Sequence, residues 1–221
     1  MGTSITFKRP DGKETAGYLA NAARGNAPGV VVVQEWWGLS ENIKGLCDRF
    51  AVAGFDALAP DLYKGRVTQK PDEANHLMTG LDFVGASDQD IAGAVKHLAG
   101  TSRKVGVMGF CLGGKFAYLA STRLPIEAAV SYYGVEIDQY LGEADRRKCP
   151  ILMHFAENDP HVPASTVAAI QARMGGSKGV DIHIYPGTEH GFNRQGYPPY
   201  NETAAAQARQ RTLAHLHHLL S

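Results

Sequence analysis

Residues 104–121, KVGVMGFCLGGKFAYLAS, constrain this chain more than any other stretch. The first half alternates β-formers with glycine and reads as a strand, and the second half reads as a helix. Gly109-Phe110-Cys111-Leu112-Gly113 must therefore carry the chain straight from one into the other. So sharp a passage strains its middle residue and lifts that side chain above the sheet. The flanking glycines let strand and helix approach closely. The pattern is the G-x-S-x-G elbow that presents a nucleophile, with sulfur in place of oxygen at Cys111. A cysteine packed as a small hydrophobe is the competing account of the same pentapeptide, and the remaining residues decide between the two.

Around this stretch, strand and helix patterns alternate. Residues 3–7 and 16–20 read as a hairpin turning at Pro10-Asp11-Gly12. Residues 30–34 form an apolar run ending in Gln34, as expected of a strand buried on both faces. Ser40 stands where a cap belongs, ahead of a helix to residue 53 that aligns Ile43, Leu46 and Phe50. Further strands are expected at 55–60, 128–133, 151–156 and 181–185, and further helices at 72–79, 88–99, 163–173 and 201–220. Residues 135–149 read as a connection, helical in part. Such alternation predicts an α/β fold, a mostly parallel sheet with helices on both faces, in a single domain of 221 residues. In a parallel sheet the C-terminal strand ends share one edge, where ligands bind. Cys111, Asp159 and His190 each follow an expected strand, so all can meet there.

Charge and cysteine content narrow the function. Lys and Arg number 22, as do Asp and Glu, and the formal net charge is zero. That balance gives no field to recruit nucleic acid or an anionic membrane; attraction for a charged substrate must come from a few local side chains. No apolar run has the length of a membrane span, and the N-terminus lacks an apolar signal core. Cys47, Cys111 and Cys149 have no metal-ligand spacing and suit reduced thiols in the cytoplasm. The expectation is a cytoplasmic monomer that uses no metal or other cofactor.

The order Cys111, Asp159, His190 is that of nucleophile, acid and histidine in the α/β-hydrolase fold. A thiolate is the attacking species; His190 can take the thiol proton, and Asp159 can orient the imidazole and stabilise its charged form. The helix that starts after Cys111 places partial positive charge beside the sulfur. Backbone N–H groups of Leu112 and, from the loop after residues 30–34, Trp36 are expected to form the oxyanion hole. His215, His217 and His218 read as surface residues of the last helix.

With these residues in place, the chain resembles the dienelactone hydrolase family. The resemblance is carried by Gln34-Glu35-Trp36-Trp37-Gly38, Ala59-Pro60-Asp61-Leu62-Tyr63, Gly109 to Gly114, Glu157-Asn158-Asp159 and His190-Gly191-Phe192, and it spans nearly the whole chain. It implies a cysteine nucleophile that a neighbouring glutamate, here Glu35, deprotonates when substrate binds. It implies dienelactones as substrates, cyclic enol esters bearing a carboxylate that arginines hold. Arg194 matches one such arginine, and Arg66 lies close to the place of the second. Trp36, Trp37, Tyr63 and Phe192 can supply apolar walls. The expected activity is opening of a small anionic lactone or enol ester through an acyl-enzyme. A broader carboxylesterase or thioesterase, or a non-catalytic binding member of the fold, are the alternatives.

Overall fold

The computed structural model describes residues 1–221. The chain divides into two compact units, residues 1–107 with Leu220 and residues 108–219 with Ser221.

The first unit begins with the expected hairpin. Strands β1 (Thr3–Lys8) and β2 (Glu14–Ala20) pair antiparallel, Thr3 opposite Leu19 and Lys8 opposite Glu14. The turn tightens where Asp11 Oδ1 accepts the Lys13 N–H at 3.0 Å. Strands β3 (Gly29–Val33) and β4 (Asp56–Pro60) pair parallel, and the four run in the order β1-β2-β4-β3. Every residue of β3 is buried, which explains its unbroken GVVVV run. Helix α1 (Glu41–Val52) buries Ile43, Leu46, Cys47 and Phe50, the spacing read from the sequence. Ser40 precedes it in extended conformation, but its side chain makes no capping hydrogen bond. Helix α2 (Pro71–Thr79) starts on a proline, whose missing N–H costs nothing at a first turn. Where one helix was expected over residues 88–99, a π-helical segment (Gly85–Ile91) runs into α3 (Ala92–Ala99). The wider turn falls outside the 3.6-residue period on which the expectation rested.

The second unit follows from β5 (Val105–Phe110) into α4 (Leu112–Arg123). Strands β6 (Ala128–Tyr132), β7 (Ile151–Ala156) and β8 (Val180–Tyr185) lie parallel and in register, Ala129 beside Ile151 and Ile151 beside Val180. Each therefore ends on the same edge, and the loops that leave it carry Tyr133, Asp159 and His190. The connection over 135–149 contains a 3-10 segment, Ile137–Arg146. Helix α5 (Ala164–Met174) joins β7 to β8. Helix α6 (Glu202–Leu220) is capped by Asn201, whose side chain accepts the Ala204 N–H at 3.0 Å. No helix is long and apolar enough to cross a membrane.

Candidate active site

Cys111 occupies the bend between β5 and α4 with φ 54° and ψ −115°. A positive φ is strained for a residue with a Cβ, and surrounding hydrogen bonds must hold it there. The Cys111 N–H donates to the Tyr132 carbonyl at 2.9 Å, and its own carbonyl accepts from Gly114 (2.9 Å), Lys115 (3.2 Å) and Val135 (3.3 Å). The glycines are required by contact. A Cβ on Gly109 would run into the Gly113 backbone, and one on Gly114 would lie 2.7 Å from Gly134 Cα and the Tyr132 carbonyl. Cys111 is partly exposed, whereas Cys47 and Cys149 are buried, and burial pushes both of those thiols up. Leu112, the first residue of α4, has no intrahelical acceptor for its N–H.

The loop after β7 delivers Asp159, which is 4% exposed. One oxygen, Oδ1, accepts the backbone N–H groups of His161 (2.8 Å) and Val162 (3.0 Å). The other, Oδ2, accepts from His190 Nδ1 at 2.7 Å. Burial alone would drive the imidazole towards its neutral form. The Cys111 charge, the Asp159 hydrogen bond and further contacts with both groups outweigh burial and raise its proton affinity well above the ordinary histidine range. With Nδ1 committed to Asp159, the buried Nε2, which has no partner of hydrogen-bond geometry, is the atom left to exchange a proton. The structure thus brings Cys111, Asp159 and His190 together within the second unit, where the surroundings of the imidazole favour its charged form.

Two residues around His190, Tyr133 and His161, carried no motif. Tyr133, at φ 37°, sets its ring against His190 with centroids 4.8 Å apart, and His161 does the same at 4.8 Å. Phe192 is fully buried and packs on Tyr133 and Tyr185, so it braces the histidine loop from inside the core and forms no open wall. Behind it lies His154, with Nδ1 2.9 Å from the Tyr185 hydroxyl and Nε2 3.1 Å from Thr212 Oγ1. Tyr132 and Arg211 complete this network through Thr212 (2.7 Å) and Tyr185 (2.9 Å). The only signal for it in the sequence is a polar residue inside the apolar strand ILMHFA. His217 and His218 are exposed, as expected; His215 is partly buried instead, and burial lowers its proton affinity. The Arg194 guanidinium lies over the Tyr197 ring, 4.9 Å from its centroid.

In the first unit, Glu35 follows β3 and is 4% exposed. Trp36 and Trp37 meet edge to face at 4.9 Å, with Trp37 and Tyr63 buried. This loop is braced by the one after β4. Thr68 N–H donates to the Trp37 carbonyl at 3.1 Å, and Gly38, at φ 90°, leaves no room for a Cβ against the Arg66 carbonyl. Asp61 accepts the N–H groups of Tyr63 (3.1 Å) and Gly65 (2.5 Å), which gives the Asp-Leu-Tyr motif a structural role. Tyr63 and the exposed Arg66 line a cavity of about 320 Å³ together with Arg9, Lys64 and His76. There Asp90 pairs with Lys64 at 2.6 Å and with Arg9 at 3.4 Å. No group of three or more His, Cys, Asp or Glu side chains is arranged to hold a metal ion.

Comparison with known proteins agrees with this architecture. The profile of the dienelactone hydrolase family matches residues 15–220. Protein usf of Aquifex pyrophilus is 36% identical over 228 residues, covering 97% of each chain. The carboxymethylenebutenolidase of Pseudomonas putida is 30% identical over 220 residues, covering 95% of this chain and 93% of that one. The crystal structure of a dienelactone hydrolase-like promiscuous phosphotriesterase from metagenomic libraries superposes with a TM-score of 0.85 at 25% identity, covering 100% of this chain and 99% of that one.

Proposed function

This chain belongs to the dienelactone hydrolase family, with its α/β-hydrolase fold and its hydrolysis of ester and lactone bonds; on that premise we propose that it opens a small anionic lactone or enol ester, of the dienelactone type, through an acyl-enzyme on Cys111. The observation that carries this proposal is the His190–Asp159 pair at 2.7 Å, whose imidazole is drawn, against the effect of burial, towards its charged form by Cys111 and Asp159 together.

In the proposed reaction the Cys111 sulfur attacks the lactone carbonyl. Charge collects on the carbonyl oxygen, which the N–H groups of Leu112 and Trp36 receive. The ring C–O bond breaks as the carbonyl re-forms, and the enolate so released takes up the proton carried by the His190 imidazolium, which leaves Nε2 free to act as a base. Water then attacks the thioester while His190 Nε2 removes its proton. The C–S bond breaks, the thiolate returns, and the product leaves as a dicarboxylate. Asp159 keeps Nδ1 protonated throughout and stabilises the imidazolium. Glu35, a buried carboxylate, is assigned as the group that takes the Cys111 proton where the thiol form persists; its burial supports that role. Arg194 is assigned to the substrate carboxylate, with Arg66 as the second candidate. The family match across residues 15–220 supports one catalytic domain.

Likeness to the promiscuous phosphotriesterase favours a second, broader reading in which other esters are also accepted. Turnover of cis- and trans-dienelactone, compared with aryl esters and an aryl phosphotriester, separates the two. The proposal expects kcat/KM highest on a dienelactone and reduced by about a thousandfold or more in Cys111→Ser. Equal rates in Cys111→Ser and wild type would refute it, and higher kcat/KM on aryl esters would favour the broader reading.

A further inference from the structure

His161 lies two residues beyond Asp159, and no step above uses it. Its backbone N–H donates to Asp159 Oδ1, the oxygen that His190 leaves free. Its imidazole meets the His190 ring edge to face, centroids 4.8 Å apart and planes at 66°. The residue is exposed, while His190 Nε2 is buried. Tyr133 makes a similar ring contact with His190 at 4.8 Å. Of the two neighbours, His161 is the one that can acquire positive charge.

We propose that His161 is a positioning residue for His190: uncharged, it braces the ring that Asp159 holds; charged, it opposes every step that places a proton on that ring. The inference rests on His190 acting as proposed above, since its effect on turnover is exerted through that imidazole.

Two charged groups act on His161: His190, from the loop after β8, and Asp159, from its own loop. Burial lowers the proton affinity of His161, His190 lowers it further, and Asp159 works in the opposite sense. The net direction keeps His161 uncharged near neutrality, and it gains its charge only on the acid side of 6.5. A cation there stands ring against ring with the site where the imidazolium of the reaction forms. At a partly exposed site, repulsion between two unit charges about 5 Å apart is enough to move a titration by roughly one pH unit. The acid limit of turnover then belongs to His161 and not to the triad alone.

The test is the pH dependence of kcat/KM for wild type, His161→Phe, His161→Lys and His190→Ala, with NMR titration of the histidine rings in the full chain. Phenylalanine keeps a ring against His190 and removes the charge, so the acid limb is expected to move down by roughly one pH unit. Lysine supplies the charge permanently and is expected to lower kcat/KM about tenfold even near pH 8. In the NMR experiment the His190 signal responds to the titration of His161 in wild type, and that inflection is lost in His161→Phe. An acid limb and a His190 titration both unmoved in His161→Phe would overturn the inference. Activity retained in His190→Ala would overturn the assignment of His190 itself, and the NMR comparison tells the two failures apart because it needs no turnover.

Discussion

His154 is fully enclosed between Tyr185 and Thr212, and burial holds its proton affinity well below the ordinary value of 6.5. The unfolded chain binds a proton there at a pH where the folded chain does not. Its contribution to stability is therefore present above 6.5 and lost as the pH falls below it. Each such histidine adds about 1.4 kcal/mol per pH unit to the slope of stability against pH in that window. His154→Gln is expected to flatten the slope of urea-unfolding free energy between about pH 6.5 and 5 by that amount; an unchanged slope would show that His154 accepts its proton in the folded state. The contrast with His190 shows what a sequence can disclose at this scale. Cys111, Asp159 and His190 were legible because glycines and strand ends mark their places. His154, Tyr133 and His161 owe their importance to partners 20 or more residues away, such as Thr212 for His154 and His190 for His161. No local pattern records those pairings.

Among the elements, the β5–α4 elbow was legible for the reason that it is rigid. Its glycines are sites where backbone meets backbone, and sequence displays such sites as missing side chains. Gly109→Ala would force a methyl group against the Gly113 carbonyl, which cannot step aside while α4 keeps its start. The expected cost is roughly 1–3 kcal/mol of stability, read as a lower urea midpoint. Activity should fall further than stability alone explains, because the same shift re-aims Cys111. A variant with wild-type stability and turnover would contradict that account of the bend. Strands β3, β6 and β7 were equally plain, since burial on both faces leaves only apolar residues apart from Ser131 in β6 and His154 in β7. The π-helical Gly85–Ile91 was not, because its widened turn follows neither of the two periods by which elements are recognised. Nor could the sequence separate the two uses of an aromatic residue: Phe192 matches a family motif and lies wholly inside the core.

Across the whole molecule, the second unit alone holds the thiol, the carboxylate and the imidazole on the edge where parallel strands end. The first unit holds Glu35, the tryptophans and the cavity of Tyr63 and Arg66. The family relationship extends over both, from residue 15 to residue 220. The account therefore makes one sulfur atom the place where the substrate becomes attached, and the other two thiols are buried and unable to compete. Removing the base should let the attachment accumulate, because acylation by an activated ester needs less help than attack by water on the thioester. Intact-protein mass spectrometry of His190→Ala mixed with a nitrophenyl ester, followed by peptide mapping, tests this directly. The account predicts a single acyl adduct on Cys111 that forms faster than it is released. An adduct on any other residue, or ester turnover that continues after Cys111 is replaced by alanine, would contradict it.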